Sequence, residues 1–137
     1  MSPLKTEIQG KVATLTLNRP AQMNTIDLGM AKALYEASLS LTEHSTVRAL
    51  IITGAGEKAF CAGGDLAAFN QHGEAVGEHL HEVTHYLHGA ISRFARMTLP
   101  VITAVNGVTA GGGLAFLGFP QLVLAADSAR FVSAYTK

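Results

Sequence analysis

The segment from residue 101 to residue 114 constrains the fold of this chain more than any other. Residues 101–105 form a short, largely β-branched apolar run after Pro100, the pattern of a buried strand. Three consecutive glycines follow at Gly111, Gly112 and Gly113. Glycine loses the most entropy on folding, so such a triplet is costly unless the fold needs bare backbone. Two explanations stay open: free amides for a ligand at a helix start, or a tight loop against a neighbouring strand.

The rest of the chain predicts an α/β fold. Alternating residues 4–8 and 12–17 on either side of Gly10 indicate a β-hairpin. Asp27 is placed to cap a helix over residues 28–43. The periodicity and the apolar runs predict four further elements: a strand at 47–53, a helix at 78–96, and strands at 122–126 and 129–134. Strand pairs followed by helices predict repeated β-β-α units.

The last predicted strand is followed directly by the end of the given sequence. A sheet that stopped there would leave an unpaired edge. We therefore expect a single domain over residues 1–137 whose C-terminal part is missing.

Charge and composition exclude several classes of protein. Ten basic and ten acidic residues give a net charge of zero without a basic block, which argues against nucleic acid and anionic membranes as partners. The single cysteine, Cys61, cannot form an internal disulfide, and no signal peptide or membrane-spanning run is visible. These features predict a cytoplasmic protein. Cys61 is predicted to be a buried small hydrophobe rather than a nucleophile.

A second loop of small residues follows the strand predicted at 47–53. Ala62, Gly63 and Gly64 precede Asp65, which can cap a short helical turn. Two loops of this kind, each following a strand, can bring two backbone amides together. Such a pair of amides is an oxyanion hole, which stabilises charge developing on a carbonyl oxygen.

Three segments carry a resemblance to a known family: residues 58–66, residues 100–131, and residues 15–20 followed by Asn24. Together they resemble the signatures of the crotonase superfamily, the enoyl-CoA hydratase/isomerase family. The resemblance covers essentially the whole chain. It implies a crotonase-like spiral of β-β-α units and an acyl-CoA thioester as substrate.

The resemblance also implies a set of site residues. The thioester carbonyl would be held by the backbone N–H groups of Gly64 and Gly112. Coenzyme A would enter as part of the substrate, with no other cofactor. The remaining substrate-binding positions would lie in the loop after Pro20 and beside the two glycines, at Gln22, Met23, Thr25, Ala62, Gly63, Asp65, Leu66 and Gly111.

The proton-transfer residues of family hydratases are not matched. The two glutamate positions fall on Ala115 and Tyr135, neither of which is a carboxylate. An isomerase-like enzyme with one carboxylate beyond residue 137 is therefore favoured over a two-glutamate hydratase. His88 falls near the position where a dehalogenase branch of the family uses a histidine base. The alternative is a truncated or degenerate crotonase that binds acyl-CoA or partner subunits without catalysis.

The histidines of the second long helix admit another interpretation. The spacings of His81, His85 and His88 could support a shared metal ion, although helical histidines are usually solvated. No metal site is predicted from them. The family resemblance further implies a homo-oligomer, either a trimer or a hexamer.

Overall fold

The chain starts with the predicted hairpin. A computed structural model describes residues 1–135, so the last two positions of the predicted domain lie outside the described residues. Strands β1 (Leu4–Gln9) and β2 (Val12–Leu17) pair antiparallel. Gly10, at the turn, has a positive φ of 59°, which glycine adopts without steric cost. The side chains of Ala13, Leu15 and Leu17 are fully buried, as the alternation predicts.

The main sheet is built from parallel strands joined by helices. Strands β3 (Ala49–Gly54), β5 (Val101–Val105) and β7 (Leu122–Ala125) extend the hairpin in the order β1-β2-β3-β5-β7. Each of the three pairs in parallel with its neighbour. Helix α1 (Leu28–Glu43), with the predicted bounds, connects β2 to β3. A parallel pair needs such a crossover because its strands run in the same direction.

A second sheet contains three short strands, of which the sequence pattern predicted only the last, at 129–134. Strands β4 (Ala59–Cys61), β6 (Val108–Ala110) and β8 (Arg130–Val132) are three residues long and pair in parallel in the order β4-β6-β8. Each follows a strand of the main sheet, so successive turns of the chain add one strand to each sheet. Helices α2 (Leu66–Asn70) and α3 (Val76–Arg96) follow β4, and 3-10 helices lie at Pro20–Gln22, Gly73–Ala75 and Gly111–Leu117. This is the predicted spiral of β-β-α units.

The core lies between the main sheet and helices α1 and α3. Leu34 and Phe94 are buried from the helix side, and Leu15, Leu50 and Ile52 from the strands. At about 25 cal/mol per Å² of apolar surface, burying each such side chain contributes roughly 1.5–3 kcal/mol to folding. Leu39 of α1 and Leu80 of α3, in contrast, are each 36% exposed.

Close backbone contacts explain why glycine is needed at two points between the sheets. A Cβ on Gly113 would collide with the backbone carbonyl of Cys61 in β4. A Cβ on Gly107 would lie 2.7 Å from the carbonyl carbon of Lys58. The backbone of the β5–β6 connection and of the glycine triplet can therefore lie against β4 only without side chains.

We expect Gly113→Ala to destabilise the protein while Gly112→Ala leaves its stability nearly unchanged. An added methyl at Gly113 has no space, whereas at Gly112 its nearest neighbour would be the Gly63 Cα at 4.0 Å, an ordinary contact. The expected loss for Gly113→Ala is about 2–3 kcal/mol in the free energy of unfolding. Urea unfolding of the two variants measures the difference, and equal stability would contradict the packing described here.

Candidate active site

A single arginine ties together the loops that carry the predicted site residues. Arg19 Nη2 lies 2.8 Å from Asp65 Oδ2 and 3.2 Å from Asp27 Oδ2. Its Nη1 donates to the Thr25 carbonyl oxygen at 2.7 Å. Asp27 and Asp65 also accept the capping N–H bonds of Met30 in α1 and Ala68 in α2, as the sequence predicts. One guanidinium therefore fixes the starts of two helices relative to each other.

Backbone hydrogen bonds then hold the loop of Gly63 and Gly64 in place. The Ile26 N–H donates to the Gly63 carbonyl at 2.8 Å, and the Asp65 N–H donates to the Ile26 carbonyl at 3.0 Å. The Ala62 N–H donates to the Met23 carbonyl at 3.0 Å. The amides of Ala62 and Asp65 are thereby satisfied, but the Gly64 N–H donates to no acceptor among residues 1–135.

The glycine triplet packs directly against this loop. A Cβ on Gly63 would lie 3.3 Å from the Gly112 nitrogen and 3.0 Å from the Ala110 carbonyl oxygen. Gly63 and Gly111 have positive φ angles of 98° and 51°, which favour glycine. Gly112 is the second residue of a 3-10 helix, so its N–H has no acceptor within that helix. The two predicted loops therefore meet, each with an unused amide at or beside the contact.

Most predicted site residues gather around this contact. Thr25 reaches it through its hydroxyl, which donates to Asp65 Oδ2 at 3.3 Å. Leu66 is 72% exposed at the start of α2. Met23 and Asn24 both have positive φ angles of 55°. The loop that contains them is joined to the loop of Gly63 and Gly64 by the hydrogen bond from the Ala62 N–H to the Met23 carbonyl.

His88 is not brought to the glycine loops. By the rise of an α-helix it lies about 18 Å along α3 from Val76. Its side chain is exposed and lines a groove whose other residues include Arg48 and Pro100, at the N-terminal ends of β3 and β5. The glycine loops follow β4 and β6, which come after the C-terminal ends of β3 and β5. Its predicted role as a base finds no support in this placement.

Two aromatic side chains near Gly64 were missed by the sequence analysis. A Cβ on Gly64 would lie 2.7 Å from the Phe69 ring, so the ring stands beside the glycine backbone. The His79 ring packs against Phe69 at 5.7 Å between centroids and stacks on His72 at 3.7 Å. His79 Nε2 is buried without a hydrogen-bond partner among the described residues. The available sequence signal for Phe69 was its position four residues after Asp65, within the short helix that Asp65 caps.

Two asparagines, the buried Asn24 and the half-buried Asn106, hold the turn before β4. Asn24 is fully buried, accepts from the Arg19 N–H, and donates to the carbonyls of Ala55 and Ala59 at 3.0 and 2.9 Å. Asn106 accepts from the Gly54 N–H and donates to the Gly56 carbonyl. The turn that leads to the second glycine loop is thus braced by two amide side chains.

The two ionisable groups of the loop, Cys61 and Asp65, have pKa values shifted in opposite directions. Burial raises the pKa of the Cys61 thiol to about 11, although a hydrogen bond from the Gly63 backbone partly offsets this. For Asp65, burial raises the pKa, but the Ala68 N–H bond and the bond and charge of Arg19 outweigh it, so the net pKa is lowered. Cys61 is therefore a neutral thiol and Asp65 an ionised, paired carboxylate at neutral pH.

Two largely parallel sheets wound as a spiral, with two glycine loops in contact, place this chain in the class of α/β proteins with a crotonase-type fold. The model of the enoyl-CoA hydratase/isomerase family matches residues 7–137. The chain belongs to this family, whose crotonase-type fold it shares.

Three relatives illustrate the range of the match. The chain is 37% identical to 1,2-epoxyphenylacetyl-CoA isomerase of Escherichia coli strain K12, with 100% of this chain and 52% of the relative covered. It is 35% identical to the mitochondrial 3-hydroxyisobutyryl-CoA hydrolase of Danio rerio, with 89% and 32% covered. The structure of an enoyl-CoA hydratase from Bacillus anthracis superposes with a TM-score of 0.86 at 30% identity, covering 95% of this chain and 50% of that one. The chain thus spans about half the length of these relatives or less.

Neither a membrane-spanning helix nor a metal cluster occurs among residues 1–135. None of the helices within residues 1–135 is long and apolar enough to cross a membrane. In the same part of the chain, no group of three or more His, Cys, Asp or Glu side chains could hold a metal ion.

We expect Asp65→Asn to lower the free energy of unfolding by about 1–2 kcal/mol at pH 7, because it removes the charge opposite Arg19. The carboxyl pKa is lower in the folded state, so its stabilisation is present above the unfolded pKa and is lost as pH falls through the folded pKa. The difference from wild type should therefore shrink below about pH 4. Thermal melts across pH measure it, with the exposed Asp127→Asn as control; a constant difference would contradict the ion pair.

We expect the Cys61 thiol of the folded protein to react very slowly with a thiol-specific chromogenic reagent at pH 8. Its pKa of about 11 leaves little thiolate, and the side chain is fully buried. The same chain unfolded in guanidinium chloride should react rapidly and completely. Equal rates in the two states would show that Cys61 is accessible.

Proposed function

We propose that this chain binds an acyl-CoA thioester and polarises its carbonyl oxygen between the backbone N–H groups of Gly64 and Gly112. The observation that carries the proposal is the contact between the two glycine loops, each of which has an unused amide there. Side chains play no part in such a role, and glycine leaves the most room for a ligand beside the backbone.

The enzyme names of the relatives support the proposed substrate class, an acyl-CoA thioester. The three relatives above carry names of enzymes that act on CoA thioesters: an isomerase, a hydrolase and a hydratase. We propose that the coenzyme A portion lies along the loops of Met23 and Thr25 and of residues 62–66, where Leu66 is exposed. Coenzyme A would enter as part of the substrate, and we propose no resident cofactor.

The proposed chemistry is formation of an enolate. When a base removes a proton next to the thioester carbonyl, the electron pair moves onto the carbonyl oxygen, where the two amides stabilise it. Losing one such donor typically raises the barrier by about 3–4 kcal/mol. The base is proposed to be a carboxylate outside the described residues, since Asp27 and Asp65, which flank the loops, are both paired with Arg19.

Isomerisation is favoured over two-glutamate hydration. Ala115 and Tyr135 occupy the positions of the two glutamates that the family resemblance implies for hydratases. A methyl group cannot transfer a proton, and a phenol is a poor base at neutral pH. A single-carboxylate double-bond shift is therefore the proposed reaction of the whole protein.

A second candidate function is binding of acyl-CoA, or of partner subunits, without turnover. The engagement of Asp27 and Asp65 by Arg19 favours it, because neither carboxylate is free to act as a base. Assaying the purified chain with a short enoyl-CoA, for double-bond shift and for hydration, separates the two. Turnover excludes the inert alternative, whereas binding without turnover supports it for the chain alone.

Replacing Gly112 by proline tests the proposed oxyanion hole directly. Proline removes the N–H and is tolerated in the first turn of a helix. Infrared difference spectroscopy with a ¹³C-labelled thioester carbonyl should show a shift to lower frequency in the wild-type complex. We expect Gly112→Pro to lose most of that shift, and any turnover to fall roughly 10²–10³-fold.

The matched control is Gly112→Ala, which keeps the N–H and has space for its methyl group. It should retain the wild-type carbonyl shift, and circular dichroism should show that both variants are folded. An unshifted carbonyl in wild type, or an equal shift in Gly112→Pro, would refute the role of this amide.

The cytoplasmic location and the homo-oligomeric state, trimer or hexamer, stay predictions from the sequence and the family. The absence of nucleic acid and membrane partners likewise rests on the neutral charge of the chain. Sedimentation of the protein in solution would measure its oligomeric state.

A further inference from the structure

A broad groove lies between α1 and α3, at the edge of the sheet away from the glycine loops. Its volume is about 1370 Å³. Its floor includes Val47, two residues before β3, and Pro100, directly before β5. The glycine loops instead follow β4 and β6, which come after the C-terminal ends of β3 and β5. The six residues of β3, at about 3.3 Å each, span roughly 17–20 Å from the groove to that other end of the sheet.

The lining of this groove is strongly basic, although the chain as a whole is neutral. Three of the five arginines and four of the six histidines line it, and no aspartate or glutamate does. Hydroxyl groups of Ser45, Ser92 and Thr98 lie among them. The basic members are Arg48, Arg93, Arg96, His44, His81, His85 and His88.

The three arginines have no acidic partner in the described part of the chain. Within residues 1–135, the guanidinium groups of Arg48, Arg93 and Arg96 form neither an ion pair nor a hydrogen bond, and only the backbone N–H of Arg48 donates outside a helix, to the Lys11 carbonyl. The Arg93 guanidinium stacks over the Tyr35 ring at 5.0 Å, which holds its position and leaves the N–H groups at its edge available. These are donors arranged for an acceptor that the described chain does not supply.

The helix dipole explains only part of this cluster. Arg93 and Arg96 lie in the last turn of α3, where positive charge is favourable. Arg48 lies outside the helices, and His81, His85 and His88 lie further from the end of α3 than the dipole effect extends. A cluster drawn from α3 and from the loop between α1 and β3 calls for a common anion.

We propose that this groove binds a small anion that carries two or more phosphate groups. Arginine forks bind phosphate oxygens bidentately, and imidazole and hydroxyl groups add further donors. The basic side chains extend from His81 to Arg96, about 22 Å along the helix, so one phosphate group cannot contact both ends. The charge is concentrated at Arg48, Arg93 and Arg96, where we place the first phosphate.

Calorimetric titration with inorganic pyrophosphate at low ionic strength tests this site. We expect binding by wild type, and about a tenfold higher Kd for Arg48→Gln and for Arg96→Gln, because each removes a charge-assisted hydrogen bond. The matched control is Lys5→Gln, an exposed lysine of β1 outside the groove, which loses the same charge and should change Kd less than twofold. Thermal melts establish that all variants are folded.

Three outcomes would overturn the proposal. These are no binding by folded wild type, a loss of affinity in Lys5→Gln as large as in the arginine variants, and binding of a hexaglutamate peptide as tight as that of pyrophosphate. The last result would assign the groove to an acidic protein segment. The site does not depend on the proposed function, so Gly112→Pro should bind pyrophosphate like wild type even if it loses carbonyl polarisation.

Discussion

The contact of Arg19 with Asp27 and Asp65 is the interaction on which the candidate site depends. It joins residues 46 positions apart and links the capping carboxylates of α1 and α2. The backbone bonds between Ile26 and the Gly63 and Asp65 positions then align the loop and leave the Gly64 amide without an acceptor among residues 1–135. Because the contact with Arg19 helps to lower the pKa of Asp65, the link weakens only when acid protonates that carboxylate.

Close packing of bare backbone is the second constraint. Gly113 and Gly107 are needed because the connection between β5 and β6 touches β4, whereas Gly112 has space for a methyl group. The triplet is therefore not uniform: Gly111 adopts a positive φ, Gly113 avoids a collision, and Gly112 satisfies neither of these structural needs. The residue with the weakest packing reason for being glycine is the one proposed to hold the ligand.

The elements that the sequence predicted well are those defined by local patterns. Helix α1 has the predicted bounds, and Asp27 and Asp65 cap their helices, since a capping carboxylate and its N–H lie three residues apart. The three-residue strands β4 and β6 went unrecognised because their pairing joins distant segments, whereas β8 lies within the strand predicted at 129–134.

By itself, the sequence determined the fold class, the family and the two glycine loops, because glycine spacing and strand patterns are local properties of the chain. Only the tertiary structure decided that Gly63 touches Gly112, that Arg19 reaches Asp65, and that Phe69 rather than His88 stands beside Gly64. It also gathered Arg48 with Arg93 and Arg96 into one groove. The physical reason is that the proximity of Gly63 to Gly112, of Arg19 to Asp65 and of Arg48 to Arg93 depends on the path of the chain through two sheets. Residues 45 or more positions apart carry no local signal of their proximity.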